Sequence, residues 1–225
     1  MKKIAILAIL VIAMLSTMAL AMAAAPGAGD VVTDTDKGAY VYTATDQNTS
    51  VTSGLIKNLD LKTNMSTYRW AGLYGNVTGN IILGDSSNNQ LFHWTAKGRV
   101  VYATTAASVT WGSVVAEDGS HVATFYNGAS DSDNYASTFT GSEAVPSGIL
   151  SVAAAPTATS LGGTTGWKTY ALYDGTSVVF AGNVIAAGES AYDGTSTINY
   201  QMIVPEDGTA NNATATNYNL WVELQ

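Results

Sequence analysis

Apolar and polar positions alternate with a period of two at the end of the chain: Tyr218, Leu220, Val222 and Leu224 fall on one side of an extended backbone, and Asn219, Glu223 and Gln225 on the other. The pattern predicts a strand with one buried and one solvated face, on which Trp221 is either a second packing surface or a contact. Similar runs precede it at Tyr40–Thr45, Leu55–Leu61, Thr67–Tyr74, Val77–Leu83, Leu91–Trp94, Arg99–Thr104, Val109–Val115 and His121–Tyr126. The second half adds Ile149–Ala153, Trp167–Tyr173, Val178–Ile185 and Thr197–Val204. Aromatic and β-branched residues gather in these runs, where a pleated, half-buried surface favours them.

Turn chemistry separates the runs. Asp-Gly stands at 118–119, 174–175, 193–194 and 207–208, and Asn-Gly at 127–128; these pairs tolerate the positive φ of tight reversals. Tyr-Asp-Gly-Thr-Ser occurs at both 173–177 and 192–196, and because the flanks differ it reads as two similar hairpin turns. Segments 128–148 and 155–166, rich in Ser, Thr and Gly, read as long loops. No window carries a helical period. About a dozen short strands predict an all-β domain of β-sandwich or jelly-roll type over residues 38–225, with a subdomain break near 149–166 left open.

The N-terminus has a different character. Lys2 and Lys3 precede an apolar run from Ile4 to Leu15, and Ala19, Ala21, Ala23 and Ala25 follow in Ala-x-Ala spacing. This is the layout of a Sec signal peptide over residues 1–23, cleaved after Ala23. The competing reading is a retained anchor, since Ile4 to Ala25 is long enough to span a bilayer. Residues 24–37 read as a flexible polar segment.

Composition adds three constraints. The formal net charge is −8, and without Lys2 and Lys3 seven basic residues face 17 acids. Such a surface repels phosphate, which argues against nucleic acid or anionic membranes as partners, apart from the leader before cleavage. There is no cysteine, so neither disulfides nor a lipid-modified cysteine anchor the chain, and stability must come from the core. Exported domains without cysteine are typical of bacteria and archaea.

Candidate chemistry is sparse. Nucleophilic catalysis needs a base beside its nucleophile, and the chain has two histidines: His93 in an aromatic run suited to packing, and His121 at the head of an expected strand. We expect no enzyme and no cofactor. Two histidines and no thiols serve transition metals poorly. Asp131 and Asp133 offer alternating oxygen ligands, as do Asp34 and Asp36, but neither pair continues into a full calcium loop. Asn48, Asn64, Asn76 and Asn212 each open an Asn-x-Ser/Thr sequon, at about the frequency this composition gives by chance. Five tryptophans and twelve tyrosines could stack on sugar rings, although most aromatics in a disulfide-free sandwich are expected in the core.

The stretches Arg69–Leu83, Leu91–Trp94, Val100–Ala103, Trp167–Gly175, Val179–Gly182 and Tyr200–Val204 with Pro205 resemble archaeal secreted β-rich surface proteins. More distantly, the layout of leader, short N-terminal segment and β domain resembles archaeal filament subunits of the bundling-pilus and thread type. That resemblance implies an extracellular structural subunit that self-associates into a homopolymer, its N-terminal segment completing the sheet of the next copy. The donor segment would be Val31 to Thr45, with Val31, Tyr40, Val41 and Tyr42 as anchor candidates. The alternative reading is a secreted carbohydrate-binding or adhesion module.

Overall fold

The computed structural model describes residues 25–29, 34–40, 49–50, 52–59, 66–122, 131–206 and 215–225. The expected leader lies outside them. Among the described residues eleven strands, all paired antiparallel, form one branched sheet with almost no helix. They are β1 (Gly27–Ala28), β2 (Trp70–Gly75), β3 (Thr78–Gly84), β4 (Gln90–Thr104), β5 (Val115–Ala116), β6 (Gly141–Glu143), β7 (Ala155–Ser160), β8 (Trp167–Tyr173), β9 (Val178–Ser190), β10 (Thr197–Pro205) and β11 (Asn219–Leu224). A single-turn helix, α1, covers Tyr135–Thr138. The all-β, sandwich-like class expected from the periodicity is the fold of the chain.

The main path runs β1-β11-β4-β9-β8-β7-β6. Register aligns one row of side chains across it: Ala28, Trp221, Tyr102, Ala181, Tyr170, Thr157 and Gly141. Large and small residues alternate along much of this row, so neighbouring strands interdigitate. β9 serves both layers. Its first half pairs with β4 and β8, and its second half leaves them to pair with β10, which in turn holds β2. The β10–β2 pair thereby folds back over the main sheet. Met202 and Val204 of β10 pack on Val101, Ala103, Ala171 and Phe180, and the Ile203 amide donates to the buried Thr169 hydroxyl at 3.0 Å.

The opposite face of the main sheet carries Val100, Tyr102, Leu172 and Val179, together with Val145 and Leu150. It is covered by the connections around Val109–Val114 and Val145–Val152. A sheet buried on both faces explains continuous apolar runs such as Val100-Val-Tyr-Ala103 and Val178-Val-Phe-Ala181, all buried. It also corrects the solvated face expected for the last strand. Glu223 is buried, because the 145–150 connection lies over it.

Several expected boundaries move. Leu91–Trp94 and Arg99–Thr104 belong to one fifteen-residue strand, β4. Gly98, where the β4–β11 register shifts, permits this: a Cβ there would lie 2.7 Å from Val77 Cγ1. Residues 155–160, expected in a loop, form β7, and the 141–143 stretch forms β6. Val109–Val115 is a 3₁₀ turn leading into β5, and Ile149–Ala153 is not a strand. The run at 55–61 has no strand among its described residues, and Leu55, Ile56 and Leu59 are exposed.

The two Tyr-Asp-Gly-Thr-Ser copies make the same turn. Asp174 accepts the amides of Thr176 and Ser177 between β8 and β9, and Asp193 accepts those of Thr195 and Ser196 between β9 and β10. The glycine after each aspartate has positive φ, 92° and 69°, which makes glycine the residue of choice. The Ser196 hydroxyl, then the Ser196 and Thr195 amides, hold the Asp193 carboxyl down at about 2 against an ordinary 3.8. A carboxylate with a depressed folded pKa stabilises the turn fully above the unfolded value and loses that contribution as pH falls through the folded one. We therefore expect the β9–β10 turn to loosen between about pH 4 and 2. Amide exchange at Ser196 measured against pH checks this, and Asp193→Asn should flatten the profile.

Candidate assembly surface

Three regions could carry function: the sheet edge at β1 and β11, the outer half of the β3–β4 hairpin, and a carboxylate–imidazole cluster after β5. At the edge, Gly27 pairs with Val222 and Ala28 with Trp221, and the Gly29 amide donates to the Leu220 carbonyl at 2.8 Å. The N-terminal stretch thus lies antiparallel on the outside of β11 and pairs with it through a two-residue strand. β11 itself is held firmly. Its inner edge pairs with β4 from Asn219 to Leu224, and Gln225 exchanges backbone hydrogen bonds with Lys97. Glu223 fixes it to the covering connection. Its carboxylate accepts the Tyr102 hydroxyl at 2.9 Å, the Ser147 hydroxyl at 2.7 Å and the Gly148 amide at 2.5 Å, with Arg99 Nε 3.6 Å away. Burial, ahead of the neighbouring Glu223 charge, pushes the Tyr102 hydroxyl well above its ordinary pKa, so the phenol remains a donor at any physiological pH.

The β3–β4 hairpin is anchored at its base and projects beyond both layers. The Asn199 side chain holds Val77 through both its amide and its carbonyl, at 2.7 and 3.0 Å. At the tip, the Asp85 carboxylate accepts the amides of Ser87 and Asn89 and the Asn89 side chain, and Asn88 takes φ 64°. The Asn89 side chain, with that residue's amide, holds the Asp85 carboxyl below its usual range. Between base and tip, Ile81 sits opposite Trp94 and Leu83 opposite Phe92, on one side of the ribbon. These four are 47, 49, 50 and 54 % exposed respectively, and Leu91 at the tip is 80 % exposed. Phe92 and Trp94 lie with ring centroids 4.8 Å apart. The expectation that Leu91–Trp94 packs inside the core is therefore corrected: His93, Phe92 and Trp94 all face solvent.

The third region gathers Glu117, Asp118 and His121, which place one ligand atom each within 4.8 Å of one another. The buried Glu117 carboxylate accepts the amides of Gly119 and His121, and each of its oxygens lies within 3.2 Å of His121 Nδ1. The imidazole stacks on Tyr173 at 3.7 Å. Ser120 Oγ also approaches Nδ1, at 3.3 Å, and donates to Asp118 at 2.6 Å. Because Ser120 and Glu117 meet the same ring nitrogen, the imidazole cannot relay a proton from one to the other as a Ser-His-acid triad does. The arrangement clasps a turn, and its three ligands are the chain's nearest approach to a cation site among the described residues.

The residues singled out from sequence are scattered. Asp131 pairs with Arg69 at 2.9 Å, and Asp133 accepts the Thr67 hydroxyl while its carbonyl accepts Trp70 Nε1 at 2.7 Å. The two aspartates thus brace the start of β2. Asn76 is exposed in the turn between β2 and β3, open to a modifying enzyme. Asn48, Asn64 and Asn212 lie outside the described residues, as do Val31, Val41 and Tyr42. Tyr40 is exposed, and its carbonyl accepts the Ser66 hydroxyl at 2.7 Å. The reversal at Asp118-Gly119 was legible, but the Glu117–His121 contact across it was not, because the expected strand starting at His121 turns its imidazole away, whereas the turn found there brings the ring onto the Glu117 carboxylate.

Fold and surface define an antiparallel, sandwich-like β domain with an N-terminal strand on its sheet edge and an apolar hairpin arm. Comparison of the chain with protein-family models, with curated proteins and with solved structures gives no match. Among the described residues no helix is long and apolar enough to cross a membrane.

Proposed function

We propose that this chain is an extracellular structural subunit of a cell-surface filament or surface layer, exported by its N-terminal leader. Copies join when the N-terminal segment of one lies on the β11 edge of the next. The observation that carries this reading is the β1–β11 pairing. A two-residue strand from the start of the domain already occupies that edge, so the same segment of a neighbour can replace it with the same backbone hydrogen bonds. Exchanging an identical element between copies costs little beyond association itself. The short pairing releases easily, while the Glu223 network keeps the accepting strand in place. The resemblance to donor-strand filament subunits supports the same mechanism, with Val31 to Thr45 extending the contact.

Electron microscopy of the purified protein should reveal regular fibres. Deleting residues 24–45 should abolish them and leave the far-ultraviolet β signature intact. Fibres that persist after the deletion would refute donation by this segment. The second reading, a carbohydrate-binding or adhesion module, is favoured by the exposed Phe92–Trp94 pair, whose rings could stack on sugars. Glycan binding lost in Trp94→Ala, in a protein that forms no fibres, would select it.

A further inference from the structure

We propose that the β3–β4 arm is a second, two-fold contact between copies of this chain, formed by antiparallel pairing of β3 with β3 of another copy. The contact is separate from strand donation at β11 and does not depend on it.

Four observations converge. The first is an open edge. Among the described strands β3 pairs only with β4, so half of its backbone donors and acceptors point outward. Over seven residues it has none of the devices that discourage edge pairing: Thr78-Gly-Asn-Ile-Ile-Leu-Gly84 contains no lysine, proline or charge, and its one irregularity lies at the Leu83–Gly84 end. A two-stranded ribbon is also marginal in water and gains from additional strands.

The second is area. Ile81, Ile82, Leu83, Leu91, Phe92 and Trp94 are each about half exposed or more, on the order of 500 Å² of apolar surface, which is high for an unpartnered monomer. Edge pairing sets Ile81 and Leu83 of the two copies beside each other and covers only the β3 part of this surface, so the contact stays below the roughly 800 Å² per partner of a standard interface and forms a weak, concentration-dependent pair.

The third is charge. The chain as a whole carries a formal −8, and two copies repel through most of their surfaces. From Thr78 to Gly98 the only charged residues are Asp85 and Lys97, which cancel. The arm is where two copies can meet without opposing fields.

The fourth is self-complementarity. A two-fold axis at Ile81 sets Ile81 opposite its counterpart and Gly79 opposite Leu83, with the apolar side of both ribbons facing the same way. Gly79 has no side chain to oppose Leu83 of the other copy. A Cβ there would lie 2.8 Å from Leu224 Cδ1, so Leu224 packs directly on this position. The product is a four-stranded ribbon with one apolar face.

Because the chain has no native cysteine, single cysteines report the contact cleanly. Sedimentation velocity of the full chain, with fibres blocked by excess peptide of residues 24–45, should show a two-copy species. Ile81→Lys should weaken that species about fivefold by placing two like charges directly opposite each other across the new pairing. Mild oxidation should link Ile81→Cys into a covalent dimer but leave Leu83→Cys and Thr95→Cys unlinked, because only position 81 meets its own copy within disulfide reach. The cysteine variants keep the test valid even if the lysine variant misfolds. A monomer at all concentrations, a two-copy species indifferent to Ile81→Lys, or equal linking at 83 or 95 would each overturn the proposal. Loss of fibres alone would not bear on it.

Discussion

Trp167→Ala should destabilise the domain by about 3–5 kcal/mol, the largest effect of any single truncation. Trp167 is fully buried at the start of β8, where it packs with Ala191 and Ile198 and against Tyr74 and Ile185. These residues belong to β2, β9, β10 and the β9–β10 turn, so one indole ties the folded-back layer to the main sheet. Its Nε1 donates to the Ser190 carbonyl at 2.9 Å. Removing the ring leaves a cavity whose walls come from elements already fixed by sheet hydrogen bonds, which limits collapse and keeps the cost high. Since a domain of this kind is stable by roughly 5–15 kcal/mol in total, a large share would be lost. Trp167→Phe keeps most of the volume and should cost far less. Urea denaturation followed by circular dichroism separates the two.

Glu223→Ala should cost about 3 kcal/mol, more than an average hydrogen bond because one buried carboxylate answers three donors, the buried Tyr102 hydroxyl among them. Its loss leaves the Ser147 hydroxyl and the Gly148 amide without this acceptor and the Tyr102 hydroxyl with only the longer contact to Ser147 Oγ at 3.1 Å. The Arg99 pairing counts for less, since that guanidinium is partly exposed and its nearest nitrogen is 3.6 Å away. Val145 and Leu150, which seal the second face of the sheet, hang from the same connection. Amide exchange at Gly148 and Leu150 should therefore accelerate beyond what the global change in stability produces. Glu223→Gln, which keeps an acceptor and the shape, should recover part of the loss. Equal melting of all three proteins would contradict this account.

The sequence identified β8, β9 and β10, apolar runs bounded by Asp-Gly reversals, but not every such run: His121 and Val122, the described start of the strand expected at 121–126, lie in a turn. It failed where hydrophobicity marked burial rather than conformation. Val109, Trp111 and Ile149 are apolar because they lie over a sheet face, and they sit in irregular backbone. The converse error hid β7, whose Ala-Pro-Thr-Ala-Thr-Ser lacks large side chains because Ala155, Thr157 and Ala158 are enclosed between neighbours. β4 was divided in two because Gly98 resembles a break, whereas it lets the strand pass Val77 and Val184. The candidate surfaces were least legible of all. Phe92 and Trp94 have the composition of a core strand, and only the end of β11 beside Lys97 reveals that neither layer reaches them.

Strand β4 runs without interruption from the exposed arm into the middle of the main sheet, between β11 and β9. Tension applied to the arm along its axis therefore travels down one covalent backbone. It arrives at two rows of hydrogen bonds that must shear together instead of opening in succession like a zipper. A subunit joined to its neighbours through the arm is therefore held at the point of pull by pairings loaded in shear, while the peripheral β6–β7 pairing, off the line of force, bears little of the load.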